Sequence, residues 1–463
     1  MKKKVLLLSD DLRVPSGIGT MSKQFIMGTL DRFDWVQIGG AITHPDKGKI
    51  FDMSKEAKQH SGVEDAYLKV YPVSGYGDPN ILREVIKIEK PDAILHFTDP
   101  RFWGWLYNME HELRQEIPLM YYNIWDDLPF PHWNENAYES CDLLMAISKQ
   151  TYNINKHVCQ RKPRVEGVDL TYVQHGVDES IFKPLQSADY AGMKHQIFGD
   201  RDIDFVAFFN SRNITRKHPA DLISAFASFV RESVPNDKKA VILLHTDPVD
   251  QHGTDLYAVA KKIAPNVEVI FSNQKLSPVD LNKLYNIADV TCNPSSAEGF
   301  GLSHMESLMA GTPTIATVLG GLQDQMGFLV DGKELTVEHF TEEIPSNSTG
   351  HISKDYGKWT YPLWPQVALQ GSPMTPYIYD SRADIKSIRE GLTWWFKMTR
   401  DERKLCGLAG REWAIENGFN AKGMSDAMAS SINTCLDNFI PRSSFTLINT
   451  NNTKPVYPTG TLA

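Results

Sequence analysis

The chain of 463 residues has few cysteines and no long apolar segment. Its five cysteines are scattered, and no two stand in C-x-x-C spacing, so we expect reduced thiols rather than a disulfide framework. No run approaches the roughly 18 apolar residues of a membrane-spanning helix, and the apolar run at residues 5–8 is too short for a signal-peptide core. The fourteen histidines form no H-E-x-x-H pattern. These absences predict a cytoplasmic protein without a metal site.

The chain also has fewer basic than acidic residues. Lys and Arg total 48 against 57 Asp and Glu, a formal net charge of −9. This balance gives no overall attraction to the phosphate backbone of nucleic acids, although a local basic groove is compatible with it. The hydrophobic fraction of 41% is that of a globular protein, and the length predicts two or three domains.

The first half of the chain alternates between strand-like and helix-like patterns. A short apolar run at residues 5–8 is followed by a glycine-containing turn at 16–20 and by helical spacing over 21–30. Strand, glycine turn and helix in this order begin a doubly wound α/β unit with a parallel sheet. Further strand-like runs lie at residues 35–42, 93–97, 119–125, 143–147 and 170–173.

A second series of the same kind begins after residue 200. Strand-like runs at 205–209, 241–245, 267–271, 288–292 and 314–316 alternate with helical patterns at 220–231, 255–263, 279–286 and 301–310. We therefore predict two Rossmann-like domains that face a central cleft. The predicted boundaries are 1–185, with a returning helix at about 421–440, then 186–418 with an aromatic-rich, poorly periodic insertion at about 333–378, and a tail at 449–463.

One segment after the strand-like run 288–292 combines two glycines, two glutamates and a helix. Gly299 and Gly301 allow a sharp turn and a close approach of the backbone to a ligand. The helix that follows offers free amides to phosphate oxygens at its start. Glu298 precedes this helix and Glu306 lies about one turn inside it. One carboxylate can therefore meet a sugar beside the phosphates while the other accepts hydrogen bonds from a ribose.

The pair Glu298 and Glu306 resembles the E-x7-E motif of retaining, nucleotide-sugar-dependent glycosyltransferases of the GT-B fold, especially glycosyltransferase family 4. The resemblance implies that the first glutamate contacts hydroxyls of the donor sugar and that the second contacts the nucleotide ribose. It also implies donor contacts from the turn and first helical residues, Phe300, Gly301, Leu302 and Ser303.

Residues 210–217 resemble the G-R-x4-K element of the same family. Arg212 and Lys217 stand five residues apart, and Ser211 occupies a position where glycine is common. Two cations here would neutralise the leaving diphosphate in place of a metal ion. Arg216 competes with Lys217 for this role, and a solvated basic turn is the structural alternative for the pair.

Two further segments extend the resemblance into the first half. Residues 175–178, with Phe182 and Pro184, resemble the N-G-V-D-x-x-x-F-x-P linker with His in place of Asn. The turn that contains Gly17 and Gly19 resembles the N-terminal glycine loop, which in the family faces the cleft and holds donor phosphate or acceptor. The linker is expected to be mainly structural.

Polar and aromatic side chains follow two of the strand-like runs in the first half. His96 and Asp99 are candidates to orient the donor sugar or bind the acceptor, because ligands bind at the carboxyl ends of parallel strands. Asp126, Asp127 and Trp103 are candidates on the acceptor side. A capping aspartate, a hydrogen-bonded core histidine and a packed core tryptophan are the structural alternatives.

These patterns predict a retaining hexosyl- or pentosyltransferase that uses a UDP- or GDP-sugar donor, a hydroxyl acceptor and no further cofactor. Residues 1–185 would supply the acceptor side and 186–418 the nucleotide-sugar side. Saccharides, lipids, small molecules and modified nucleic acids stay open as acceptors.

Two alternatives to this function are kept. One is a phage-type enzyme that glycosylates hydroxymethylated DNA bases, for which residues 161–164 are a candidate basic patch. The other is a catalytically silent protein that binds sugar nucleotides. An NAD-dependent oxidoreductase is disfavoured because no acidic residue follows the second strand-like run.

Overall fold

The computed structural model describes residues 2–43, 45–159 and 169–442. The predicted tail at 449–463 and the basic patch at 161–164 lie outside these residues. Two parallel sheets dominate the described chain, one built before residue 173 and one after residue 204. This arrangement confirms the predicted α/β class.

The first sheet has eight strands in the order β3-β4-β2-β1-β5-β6-β7-β8, and every neighbouring pair is parallel except β3 with β4. Its strands are β1 (Lys3–Asp10), β2 (Phe33–Gly40), β3 (Phe51–Asp52), β4 (Leu68–Pro72), β5 (Ala93–Phe97), β6 (Leu119–Asn123), β7 (Leu143–Ala146) and β8 (Asp169–Tyr172). The helices are α1 (Gly17–Met27), α2 (Ser54–Ser61), α3 (Pro79–Glu89), α4 (Gly104–Tyr107), α5 (Glu110–Leu113), α6 (Glu135–Glu139) and α7 (Lys149–Cys159). The apolar run of β1 is fully buried because helices cover both faces of the sheet.

The second sheet has six parallel strands in the order β11-β10-β9-β12-β13-β16. Its strands are β9 (Phe205–Asn210), β10 (Ala240–His245), β11 (Glu268–Ser272), β12 (Val290–Asn293), β13 (Thr314–Thr317) and β16 (Thr360–Leu363), and the short strands β14 (Leu329–Val330) and β15 (Lys333–Glu334) pair with each other. The helices are α8 (Ser187–Phe198), α9 (Pro219–Ser233), α10 (Leu256–Ile263), α11 (Pro278–Ile287), α12 (Leu302–Met309), α13 (Gly320–Asp324), α14 (Ile385–Phe396) and α15 (Arg400–Glu416).

Part of the predicted insertion at 333–378 is regular structure, which corrects the expectation of a poorly periodic segment. Strand β16 joins the second sheet beside β13, and strands β17 (Gln366–Ser372) and β18 (Thr375–Arg382) form an antiparallel hairpin. Neither could be recognised from hydrophobic alternation. Strand β16 is only four residues long, and every residue of β17 is exposed.

The hairpin reaches from the second sheet to the helices and loops of the first. The Tyr379 amide donates to the Leu128 carbonyl at 2.6 Å, and the Tyr377 ring packs edge-on against Trp133 with centroids 4.5 Å apart. At the base of the hairpin, the Arg382 guanidinium forms two 2.7 Å hydrogen bonds with Asp221 on α9. The hairpin therefore spans the gap between the two sheets.

The final described helix, α16 (Ala421–Asn438), returns to the first sheet and packs against α1, β7 and β8. Its entry is fixed by a backbone hydrogen bond from the Val177 amide to the Phe419 carbonyl at 2.9 Å. A Cβ atom added at Gly176 would lie 2.0 Å from the Asn420 carbonyl oxygen. Only glycine fits there while α16 keeps its position. Among the described residues, no helix is long and apolar enough to cross a membrane.

We expect Gly176→Ala to lower the free energy of unfolding by about 2 kcal/mol or more, since the new methyl group must push the start of α16 away. Urea denaturation followed by circular dichroism measures the change. The matched control is Gly192→Ala in α8, where an added Cβ meets no atom within 4 Å. This control should be neutral or stabilising, by up to about 1 kcal/mol, because alanine favours helix. Equal effects of the two variants would contradict the close contact at Gly176.

Candidate active site

A cavity of about 890 Å³ lies between the carboxyl edges of the two sheets. In each sheet it opens where the strand order reverses, beside β1 and β5 in the first and beside β9 and β12 in the second. Ligands of open α/β sheets bind at such switch points. The lining comes from residues 15–20, 99–101, 124–127, 210–217 and 298–306, together with single residues from other elements.

Two helices begin side by side at this cavity. The N-cap of α1 is Ser16, whose hydroxyl accepts the Gly19 amide at 3.0 Å. The N-cap of α12 is Gly301, with a φ of 94° that favours glycine. A Cβ atom at Gly17 would lie 3.7 Å from the Leu302 side chain, so the two helix starts are adjacent. First-turn amides have no partner within their own helix, and both dipoles favour an anion in the space between them.

A buried carboxylate and two cations form the polar centre of the cavity. Glu298 accepts a hydrogen bond from the Arg216 guanidinium at 3.1 Å, and the Lys217 ammonium contacts the same carboxylate oxygen. Burial alone would raise the pKa of Glu298, but the charges of Lys217 and Arg216 outweigh it and lower this pKa. Burial lowers the pKa of Lys217 in spite of the attraction of Glu298. The arrangement favours an ionised carboxylate at the wall of the cavity.

The third cation of this segment, Arg212, lies at the rim. Its side chain is 61% exposed and forms an ion pair of 2.7 Å with Asp250. The cations predicted from the G-R-x4-K resemblance therefore occupy different environments. Lys217 is buried beside Arg216, while Arg212 keeps most of its guanidinium in solvent, where it can reach a bound ligand.

Glu306 stands on α12 at the far end of the same cavity. The Tyr285 hydroxyl donates to its carboxylate at 2.7 Å and accepts a hydrogen bond from the Asn210 amide at 2.8 Å. Burial raises the pKa of Glu306 to about 7, although the hydrogen bond from Tyr285 opposes this shift. Asn210 also lines the cavity, a position that carries no motif of its own in the sequence.

The first domain contributes a group of acidic side chains to the opposite wall. Burial raises the pKa of Asp126, although the positive charge of Arg216 opposes this shift. Burial, reinforced by the charge of Asp126, raises the pKa of Asp127 well above its usual range. The Asp99 carboxylate accepts a hydrogen bond from Arg101 Nε at 3.0 Å. The same guanidinium lies 5.3 Å from the ring centre of Trp125. Asp126 lies 3.8 Å from the Arg216 guanidinium, and both cations and carboxyl groups occur on each wall of the cavity.

All the predicted site residues line this cavity except His96, Trp103 and Gly19. The structure does not bring these three to the cavity wall. His96 lies inside β5, is fully buried, and bonds through Nδ1 to the Tyr107 hydroxyl at 2.6 Å. Its ring stacks on Tyr121 with centroids 4.9 Å apart, and burial lowers its pKa to about 3. Trp103 is equally buried beside it, with ring centroids 4.9 Å apart.

Gly19 lies within the first turn of α1 rather than on the cavity wall. A Cβ atom there would come within 2.4 Å of the Val14 carbonyl oxygen, so this glycine allows its own loop to fold tightly. Gly17, two residues earlier, does line the cavity.

Several lining residues were not among the predicted site residues. His175 was assigned to a structural linker, yet it lines the cavity between Phe300, with ring centroids 5.2 Å apart, and the Tyr122 hydroxyl, 2.9 Å from Nδ1. Arg101, Thr375 and Ile378 also line it. The last two come from the hairpin β17–β18, which has no recognisable motif. Across the described residues, no three His, Cys, Asp or Glu side chains converge as metal ligands would.

We expect Glu306→Gln to stabilise the protein at pH 8 and to leave its stability unchanged at pH 4. The folded protein holds a proton on Glu306 up to about pH 7, whereas the unfolded chain releases it near pH 4.5. Wild-type stability therefore falls as the pH rises from 4.5 to 7, by up to about 3 kcal/mol, and the neutral glutamine avoids this loss. Thermal unfolding across this range measures the difference. The control Glu412→Gln, exposed on α15, should show no such pH dependence.

Residues 194–343 match the family described as "Glycosyl transferases group 1". Among curated proteins, the chain is similar to the D-inositol 3-phosphate glycosyltransferase of Acidothermus cellulolyticus, with 30% identity over 173 residues. That match covers 36% of this chain and 38% of the relative, so the chain spans well under half the length of that protein.

Solved structures match over nearly the whole chain. HepE from Anabaena, in complex with UDP and glucose, has a TM-score of 0.62 and 16% identity, covering 93% of this chain and all of that one. Sucrose-phosphate synthase from Thermosynechococcus elongatus has a TM-score of 0.63 and 15% identity, covering 94% of this chain and all of that one. These likenesses confirm the predicted GT-B fold. The chain thus combines a GT-B fold with a segment, residues 194–343, that matches group 1 glycosyltransferases.

Proposed function

We propose that this protein is a glycosyltransferase that moves a sugar from a nucleoside diphosphate donor to a hydroxyl acceptor with retention of anomeric configuration. The observation that carries the proposal is the shared cavity. It places two helix starts, the Lys217–Glu298–Arg216 cluster and Glu306 within one volume of about 890 Å³. The volume lies in the range of ligand-binding cavities. The E-x7-E resemblance to glycosyltransferase family 4 supports retention.

The donor is assigned to this cavity by its charge pattern. The diphosphate lies between the starts of α1 and α12, where Lys217, Arg216 and Arg212 supply positive charge. Glu306 accepts hydrogen bonds from the ribose, and Glu298 accepts them from hydroxyls of the transferred sugar. The nucleotide is UDP or GDP, and the UDP complex of the structurally similar HepE supports UDP.

The chemistry follows from this placement. The bond between the anomeric carbon and the leaving phosphate oxygen breaks while the acceptor hydroxyl attacks from the same face. The acceptor proton passes to the departing phosphate oxygen, and no covalent enzyme intermediate forms. Lys217, Arg212 and the helix starts stabilise the charge that develops on the diphosphate.

Water is the competing acceptor, so the site has to exclude it during transfer. The carboxyl groups of Asp126 and Asp127 belong to the first-domain side of the cavity, from which the acceptor enters, and Asp126 lies 3.8 Å from the Arg216 guanidinium. Closure of the two sheets on the donor would complete the site and displace water from the anomeric carbon.

Thermal-shift screening with UDP- and GDP-sugars tests donor binding directly. A saturating donor should raise the melting temperature, because a ligand at 100 times its Kd adds about 2.7 kcal/mol to the stability of the folded state. NAD serves as the control ligand and should have no effect. The absence of any shift with all nucleotide sugars would contradict the assignment of the cavity.

Lys217→Ala and Glu306→Ala should each abolish transfer, with losses of roughly 100-fold or more for a group that stabilises developing charge. The fold should persist, because Arg216 still neutralises Glu298 in the first variant. Release of nucleoside diphosphate from the donor measures activity, and circular dichroism verifies folding. Lys239→Ala, an exposed lysine outside the cavity, is the matched control. Unchanged turnover in either site variant would refute the proposed function. If the wild type binds the donor without turning it over, the result would favour the alternative of a silent sugar-nucleotide-binding protein.

A further inference from the structure

A second cavity of about 680 Å³ adjoins the proposed donor cavity. Asp126 and Asp127 belong to the lining of both and form the wall between them. The remaining lining comes from residues 128–130, from the loop 342–351, from the hairpin β17–β18, and from Gln150, Ser296 and Leu319. A molecule held here can therefore reach past the two aspartates towards the anomeric carbon of the donor.

The lining combines flat rings with hydroxyl groups. Phe130 and Tyr379 supply the rings, which can cover the apolar faces of a sugar. Side-chain hydroxyls come from Ser296, Ser346, Ser348, Thr349 and Ser381. The lining is completed by apolar surface from Leu128, Pro129, Leu319, Ile344, Pro345 and Val367. Rings and apolar patches beside hydroxyl groups suit a sugar, whose faces are apolar and whose rim is polar.

The charges of the lining are all of one sign. Asp126 and Asp127 lie at the inner wall, Glu342 and Glu343 are exposed at the mouth, and no lysine or arginine is among the described lining residues. Arg216, outside this lining, lies 3.8 Å from Asp126 and offsets its charge, so the uncompensated carboxylates are Glu342 and Glu343. A phosphate or carboxylate group that enters past them would meet negative charge and no lysine or arginine of the lining. Unfavourable charge of this kind selects against a ligand as effectively as good contacts select for one.

The walls of the second cavity are fixed by hydrogen bonds from both sheets. Gln150 at the start of α7 donates to the Asp126 carbonyl at 2.8 Å and accepts the Gly320 amide at 3.2 Å. The hairpin is held by Tyr379 and Leu128, as described above. Because these contacts come from opposite sides of the cleft, the cavity takes its full shape only when the two sheets are together.

We propose that this second cavity holds the acceptor and that the acceptor is a saccharide without anionic groups, either neutral or amine-bearing. The proposal rests on the proposed function and names its acceptor class. The hydroxyl of the saccharide passes between Asp126 and Asp127 to attack the anomeric carbon. Sugar phosphates, sugar acids and DNA strands are rejected by the charge of the lining.

The first test blocks the cavity. Ser381→Trp places an indole in the space, and Thr349→Trp does so from the opposite loop, in case the first variant folds poorly. The matched control is Gln366→Trp, an exposed position on the same hairpin outside both linings. Donor hydrolysis without acceptor is measured beside transfer to a library of neutral and amine-bearing oligosaccharides. We expect both blocking variants to lose at least 10-fold in transfer and to keep wild-type donor hydrolysis, while the control keeps both.

The second test reverses the charge at the mouth. Glu342→Lys combined with Glu343→Lys is compared with Glu412→Lys combined with Glu416→Lys, two exposed glutamates on α15 outside both linings. Transfer is measured to four classes of acceptor, namely neutral saccharides, amino saccharides, sugar phosphates and hydroxymethylated DNA. The wild type should use only the first two. The mouth variant should raise the KM for amino saccharides at least 10-fold without changing the KM for the donor.

The outcomes separate this proposal from the proposed function. Failure of the wild type to bind or hydrolyse any nucleotide sugar refutes the proposed function. Donor hydrolysis with undiminished transfer in both blocking variants overturns the acceptor cavity alone. Transfer by the wild type to sugar phosphates or DNA, or to none of the four classes, overturns the assigned acceptor class.

Discussion

The centre of the cleft depends on the ion pairs that Lys217 and Arg216 make with the carboxylate of Glu298. An uncompensated carboxylate at this depth would be costly, and the loss of one partner from a buried pair commonly costs several kcal/mol. Lys217 and Arg216 contact the same carboxylate oxygen of Glu298, so this carboxylate does not fully neutralise either cation. In the proposed function, a diphosphate interacts with one of the two cations while the other still neutralises Glu298, so one cluster would serve both folding and ligand binding.

Hydrogen bonds around helix α13 connect the Lys217–Glu298–Arg216 cluster to the first domain. The Gly321 amide donates to the Glu298 carbonyl at 3.0 Å, and the Gln323 side chain bonds to Gln150 on α7 at 3.0 Å. Asp324 accepts the Lys149 amide at 2.8 Å, so a carboxylate of the second domain caps a helix of the first. Burial raises the pKa of Asp324 to about 6. Helix α13 thus links the backbone of Glu298 to helix α7 of the first domain.

The sequence was informative where a short motif fixes both backbone and chemistry. Gly301 must have a positive φ, Glu298 precedes it and Glu306 follows on the same helix, so their positions at the cavity could be predicted. His96 could not be placed in this way. A histidine at the end of a strand satisfies the same pattern whether it faces the ligand or the covering helices, and only the packing of Tyr107 and Tyr121 decides between them. The hairpin escaped prediction because β17 is exposed throughout and β18 is mostly half-buried, so neither strand has a regular alternation of buried apolar residues.

The strands of the hairpin pair only with each other and contribute nothing to the six-stranded sheet. Its sequence can therefore change without altering the register of any strand that carries the donor-side residues. Thr375 and Ile378 of the hairpin line the cavity, so substitutions there alter one wall of it and leave the pairing of the second sheet unchanged. Substitutions in this one hairpin can therefore change which molecules enter the cavity, while the six-stranded sheet that carries the proposed nucleotide side keeps its architecture.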